Sequence, residues 1–428
     1  MSVYKERVQG LHEVLESEKI DLQLLRRLCF QGIPDDSGFR PICWRLLLGY
    51  LPANTLDWPQ VLKKQRALYN QFLEDMVISH DCGSPEGLPD DHPLNCNPNS
   101  KWQVFFKDND VLLQIDKDVR RLCPDMCFFQ RATDYPCERI TQDPGVQSLR
   151  ERVQRTMLHS ANVTRSRMGI TNISLNAGRP AQYERLPQGQ EAHWEVVERI
   201  LFLYAKLNPG LGYVQGMNEI IGPIYYTFAA DPNPEWKKHA EADCFFCFTS
   251  LMAEIRDFFL KTLDDSACGI GAMMQRLMGL LKRRDDRLHL RLRQLQVEPQ
   301  YYTCASCRRS RSTTASAGSC SCCPRTSLYQ STPIPVLFFN QACGVPIQEA
   351  RARDCRDVLR IWDSLFADPE RFGFLIYICY AMLARLRDRL MSGDFPSNIK
   401  LLQNFPDTDV NELLAEALRV QEEDRLQG

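Results

Sequence analysis

The chain predicts an all-α protein, and two observations carry that expectation. Apolar residues recur every third or fourth position in one segment after another. Clusters of Pro, Gly, Asp and Asn cut those segments into short helices. Glu191–Lys206 shows both features: Trp194, Val197, Leu201 and Tyr204 form one stripe, and Asn208, Pro209 and Gly210 stop it. Its acids come early and Lys206 late, as the helix dipole prefers. A length of 428 residues fits one large or two ordinary domains. The formal net charge of -2 gives no support for nucleic-acid binding, which needs a basic excess.

Taken in order, Met1–Phe30 predicts two short amphipathic helices, on Val8, Leu11 and Leu15 and then on Leu22, Leu25 and Leu28. Gly32 and Pro34 break the pattern, Asp35, Asp36 and Ser37 offer caps, and a largely buried helix follows over Arg40–Tyr50. Trp58–Val77 is amphipathic, with Val61, Leu68, Phe72 and Met76 inward. Ser79–Ser100 reads as a loop, and its His80, Cys82, His92 and Cys96 match no standard zinc spacing. Val111–Pro124 predicts a short helix with Ile115, Val119 and Leu122 on its buried face, ended by Pro124. Residues 137–190 are expected to be a flexible loop, relieved by a helix at Leu149–Met157. Further helices are expected at Ala240–Phe258, Met273–Leu281 and Leu288–Val297. Cys244 and Cys247 fall inside an apolar helix and read as core thiols. The apolar run Phe372–Ala384 is too short to span a bilayer and reads as a core helix. No apolar leader follows Met1, so a cytoplasmic protein is expected.

Two stretches carry chemistry. In VLLQIDKDVRRLCP, Asp118 and Arg121 stand three apart, neighbouring positions on one helix surface. An aspartate so placed can hold an arginine still while its tip points outward. Read alone, the pair is an ordinary surface ion pair. In LGYVQGMNEII, Gln215 stands between Gly212 and Gly216, which strip side chains away and let another backbone approach. Read alone, this is a turn leading into a buried helix.

Together these stretches become specific. Gly-Ile-Pro then Trp at Gly32–Trp44 is followed by I-x-x-D-x-x-R at Ile115–Arg121 and Y-x-Q-G-M-N at Tyr213–Asn218. R-I-W-D-S-L-F follows at Arg360–Phe366. In this order and spacing the chain resembles the TBC domain, the catalytic domain of GTPase-activating proteins for Rab GTPases. The resemblance implies an all-α TBC domain over 32–390, after an N-terminal helical extension (1–31) and before a C-terminal helical tail (391–428). It implies an activator, not an enzyme with its own turnover. Arg121 matches the family's arginine finger, Gln215 its glutamine finger, and Asp118 the acid that orients the arginine. Tyr213, Gly216 and Asn218 match the supporting positions of the second motif. The implied partner is a GTP-bound Rab, which carries the GTP and Mg²⁺, so no cofactor of its own is expected. Association with vesicle membranes would then come only through the Rab. The I-x-x-D-x-x-R spacing selects Arg121 over Arg120 and leaves Arg120 as a surface residue.

The chain departs from the family at residues 303–356, where Cys, Ser, Thr and Arg replace an apolar core helix. The cysteines Cys304, Cys307, Cys320, Cys322, Cys323, Cys343 and Cys355 cluster here. The composition is that of a segment foreign to the domain and unable to bury a core; a zinc site and a regulatory insertion are the competing readings. Loss of a core helix predicts a destabilised or inactive variant, and so the alternative of a Rab-binding scaffold without catalysis.

Overall fold

A computed structural model describes residues 2–78, 97, 100–123, 127–143, 145–157, 186–187, 189–259, 269–297, 353–403, 405–406 and 408–427. Pro124, the histidine and cysteine positions within Ser79–Ser100, residues 158–185 and the cysteines from Cys304 to Cys343 lie outside the described residues.

The described residues form helices and no strand, in agreement with the all-α expectation. Two isolated bridges, Lys19 with Asn54 and Ala132 with Ala192, are the sheet-like pairings among them. The chain opens with α1 (Ser2–Glu16), α2 (Leu22–Phe30), α3 (Arg40–Leu47) and α4 (Trp58–Leu73). Asp21 caps α2 by accepting from the amides of Gln23 and Leu24. Next come α5 (Lys101–Val119), α6 (Glu138–Thr141), α7 (149–157) and α8 (His193–Leu207). Then follow α9 (Met217–Ala229), α10 (Pro234–Lys237), α11 (Ala240–Ile255), α12 (Ile270–Arg284) and α13 (Asp286–Gln294). The last five are α14 (Arg353–Ala367), α15 (Phe372–Arg385), α16 (Arg387–Ser392), α17 (Phe395–Gln403) and α18 (Val410–Gln427).

Two expectations need correction. The helix expected from Val111 begins at Lys101, with Trp102–Phe106 in its first turns. Within the expected loop 137–190, α6 is helical and buries Ile140, while the helix expected at Leu149–Met157 is present as α7 and buries Leu149 and Val153.

The chain divides into two compact units. One comprises Met1–Val61, Val214–Thr227 and Phe246–Gly428; the other comprises Leu62–Tyr213 and Phe228–Phe245. In the first, both chain ends pack on other helices. α2 packs on α14 and buries Leu25 and Cys29, while α18 packs on α15 and buries Leu413, Leu414, Ala417 and Val420.

The polar centre of this unit is Asp363 on α14, fully buried. It accepts from the Ile33 amide at 2.9 Å, from Trp44 Nε1 at 2.8 Å and from Arg40 Nη2 at 3.0 Å. Burial pushes the Asp363 carboxyl upward, and Arg40 pulls against it. Burial would lower the Arg40 guanidinium, but Asp363 and Asp35 raise it instead. Gly32 has φ +92°, and a Cβ there would lie 2.5 Å from Arg360 Cδ. The glycine of the first motif is thus required both by its backbone and by an arginine of the last.

The second unit has its own ionic core. Arg199 on α8 binds Glu191 and reaches Glu241 at 2.6 Å, and Tyr69 also donates to Glu241. Arg66 grips Asp243 through two bonds of 3.0 Å. α5 lies along α8, tied by Lys206 to Asp108 at 2.8 Å.

Asp363→Ala should cost about 3–5 kcal/mol in urea denaturation, because it leaves Arg40 buried without its acid. A midpoint equal to that of the parent chain would show that Asp363 is not the hub.

Candidate functional site

α5 ends at Val119, and its last carbonyls are met by tighter bonds. Arg121 N donates to Asp118 O and Leu122 N to Val119 O, both at 3.1 Å. This i to i+3 pattern closes a helix end in a 3₁₀ turn. Arg121 therefore lies in the turn beyond the helix, not on the helix surface. Cys123 follows at φ +41°, an uncommon backbone for a non-glycine residue.

The Asp118–Arg121 pair is present. Arg121 Nη2 donates to Asp118 Oδ1 at 2.8 Å, and Arg121 Nε donates to the Lys117 carbonyl at 2.6 Å. The arginine side chain keeps 38% of its surface exposed, the aspartate 10%. A buried acid thus holds a half-exposed guanidinium.

The second motif enters here. Tyr213 Oη donates to the other oxygen of Asp118, Oδ2, at 2.9 Å. The carboxylate is shared between a tyrosine and an arginine from stretches almost a hundred residues apart. Burial pushes the Asp118 carboxyl above its ordinary range, and the Tyr213 hydroxyl and Arg121 oppose that without cancelling it.

Beyond Tyr213 the chain enters the other compact unit at Val214. Gln215 is exposed, in the turn that leads into α9. Gly216 has φ +101° and Gly212 φ +65°, so both need glycine for their backbone. Close approach is not the reason at Gly212, where an added Cβ would meet nothing within 4 Å. Asn218 is buried in the first turn of α9, and its amide donates to Glu219 Oε1 at 3.1 Å. The turn is braced by Met217 N to Val214 O at 3.1 Å and Glu219 N to Gly216 O at 3.0 Å. Asp118, Arg121 and Tyr213 are brought into contact; Gln215, Gly216 and Asn218 follow Tyr213 along the chain.

Arg120 is not the surface residue expected. Its Nε donates to buried Asp116 at 2.7 Å, and its guanidinium lies 5.0 Å from the centre of the Trp194 ring. The i, i+4 spacing of Asp116 and Arg120 was legible in the sequence; the tryptophan was not. Also absent from the sequence reading is the pairing that sets the start of α8. His193 N donates to Arg131 O at 3.1 Å and Trp194 N to Phe129 O at 3.0 Å. His193 stacks on Phe128 with ring centres 4.0 Å apart.

Burial lowers the His193 pKa to about 4. The folded state therefore keeps this imidazole neutral where the unfolded chain would protonate it. Stability from this group is complete above about pH 6.5 and is lost as pH falls toward 4. The gap corresponds to about 3 kcal/mol. His193→Gln should flatten the loss between pH 6.5 and 4 in denaturation curves. An unchanged slope would show that another group governs it.

Among the described residues, no group of His, Cys, Asp and Glu is arranged to hold a metal ion, and no helix is long and apolar enough to cross a membrane.

With this geometry in hand, the similarities are informative. A profile of the Rab-GTPase-TBC domain matches residues 129–308. That stretch includes Tyr213–Asn218 and begins after Arg121. TBC1 domain family member 13 of Homo sapiens and that of Mus musculus are each 48% identical over 434 residues, covering 98% of this chain and 99% of theirs. A TBC domain-containing protein of Schizosaccharomyces pombe is 32% identical over 492 residues, covering 96% of this chain and 72% of its own. Among solved structures, the Ypt/Rab-GAP domain of Gyp1p superposes with a TM-score of 0.60 at 21% identity, covering 98% of each chain. That last likeness speaks to the fold.

Proposed function

This chain belongs to the TBC-domain family of Rab GTPase-activating proteins, and on that premise we propose that it stimulates GTP hydrolysis by a GTP-bound Rab in membrane traffic. It does so by lending the Rab two side chains. Arg121 is the arginine finger and Gln215 the glutamine finger. The observation that carries the reading is the Asp118 carboxylate, bound on one oxygen by Arg121 and on the other by Tyr213. One acid joins the arginine motif to the stretch that bears the glutamine.

The chemistry asks for these residue types. Phosphoryl transfer to water spreads charge over the departing phosphoryl oxygens and needs the water held in line. A guanidinium is planar, permanently charged and able to donate two parallel bonds, which lysine is not. An amide accepts from the attacking water and donates to the phosphate at once. Asp118 restrains the guanidinium, so that little reorganisation is left for the moment of reaction. Tyr213 keeps Asp118 in place, while Gly216 and Asn218 shape and support the turn that carries Gln215. The nucleotide and its Mg²⁺ arrive with the Rab, and contact with a membrane comes through the same partner.

The test is GTP hydrolysis across a Rab panel with the parent chain, Arg121→Ala and Gln215→Ala. The arginine variant should lose about a thousandfold or more of the stimulation. The glutamine variant should lose stimulation in the same direction, and both should still bind the Rab. Equal rates for all three chains, with binding retained, would leave the scaffold reading in its place.

A further inference from the structure

Two adjacent arginines follow the last residue of α5, and the finger uses one. We propose that Arg120, held between Asp116 and Trp194, is the positioning residue that sets the direction of Arg121. The inference rests on Arg121 being the group offered to the nucleotide.

The argument is geometric. The bonds from Arg121 N to Asp118 O and from Leu122 N to Val119 O make this a 3₁₀ turn. In such a turn successive side chains lie about 120° apart around the axis. Fixing the residues on either side of position 121 therefore fixes the direction in which position 121 leaves the backbone. Leu122 is fully buried and holds one side. Arg120 holds the other, by its 2.7 Å bond to Asp116 and its place 5.0 Å over Trp194.

Trp194 is itself buried. Its backbone amide donates to Phe129 O at 3.0 Å, and a second guanidinium, Arg150, lies 5.7 Å from the same ring centre. Arg150 binds Glu195 at 3.0 Å, so both cations on the tryptophan have their own acids. Asp116 is 2% exposed, and this restricts what Arg120 can do. Swinging Arg120 out to solvent would strip the partner from a buried carboxyl. Glu198, next to Asp116 on α8, is 1% exposed, and its Oε1 has no hydrogen-bond partner among the described residues. Arg120 thus faces these two acids, bonded to one of them, while Arg121 faces outward from the next position.

The assignment divides the tandem arginines by task. Arg121 touches the reacting partner; Arg120 acts only through Arg121. A lysine at 120 would keep a charge for Asp116 but lose the flat contact with the indole.

The test uses the full chain with Arg120→Lys, Trp194→Leu and Arg121→Ala. Both positioning variants should lower kcat for stimulated hydrolysis by about ten- to hundredfold. The KM for the GTP-loaded Rab should stay within about twofold, since no binding contact is removed. Amide exchange at Arg121 and Leu122 should rise about tenfold in both, with the interior of α5 still protected. Unchanged kcat and exchange in both variants overturns the proposal, as does a rise in KM at constant kcat. Arg121→Ala separates the two readings. If it stimulates hydrolysis like the parent chain, the finger assignment fails by itself. If it is inactive while Arg120→Lys and Trp194→Leu match the parent in rate and exchange, the positioning assignment fails and the finger stands. Exchange needs no Rab, so it decides the clamp whichever Rab responds.

Discussion

A buried carboxylate must be matched, and Asp363 shows what this demands of the chain. Its oxygens take a backbone amide, an indole N–H and a guanidinium, and those donors come from Ile33, Trp44 and Arg40. Leaving such a group unpaired costs several kcal/mol, a large share of a domain's total stability. The glycine, proline and tryptophan of the first motif and the aspartate of the last are therefore parts of one object. It joins segments more than three hundred residues apart in the chain, and neither is tolerable without the other.

The same constraint recurs in the second unit with different answers. Glu191 and Glu241 share Arg199, and Asp243 is gripped by Arg66. Asp116 takes Arg120. Asp118 is the instructive case, since one of its donors, Arg121, remains partly in solvent. A carboxylate matched entirely by buried groups only holds a fold together. One matched by an exposed cation also presents that cation. Burial pushes the pKa of the Asp118 carboxyl upward, and the tyrosine hydroxyl counters this through the oxygen that the arginine does not bind.

Much of this could be read from the residues alone. Helical periodicity located α1, α2, α3, α4, α8 and α11, because each has a stripe that must face a core, and α15 showed as an unbroken apolar run. Family resemblance, now supported by relatives of high coverage, picked out Asp118, Arg121 and Gln215. What periodicity missed were features with no period. The start of α5 was hidden because Trp102, Phe105 and Phe106 crowd into a short aromatic cluster. α6 was obscured by polar neighbours. The end of α5 was placed too late, since a 3₁₀ turn keeps helical spacing for one more residue. The role of Trp194 could not be read, because a tryptophan in an apolar stripe looks the same whether it packs on leucine or under an arginine. Reading Arg120 as a surface residue failed for the complementary reason: a charge beside a motif looks solvated until its acid is found buried.

The way Arg121 is held also limits how anything can hold on to it. A guanidinium offers a side edge, Nε with Nη2, and an end, Nη1 with Nη2. Here Nε is committed to the Lys117 carbonyl and one Nη2 hydrogen to Asp118. The side edge is closed. An oxyanion that takes two parallel bonds from this arginine must come end-on, along the axis of the side chain, with Nη1 and the second hydrogen of Nη2 as its contacts. Approach is restricted to a narrow cone, and a neighbouring anion that can only slide past the flank finds its donors already spoken for.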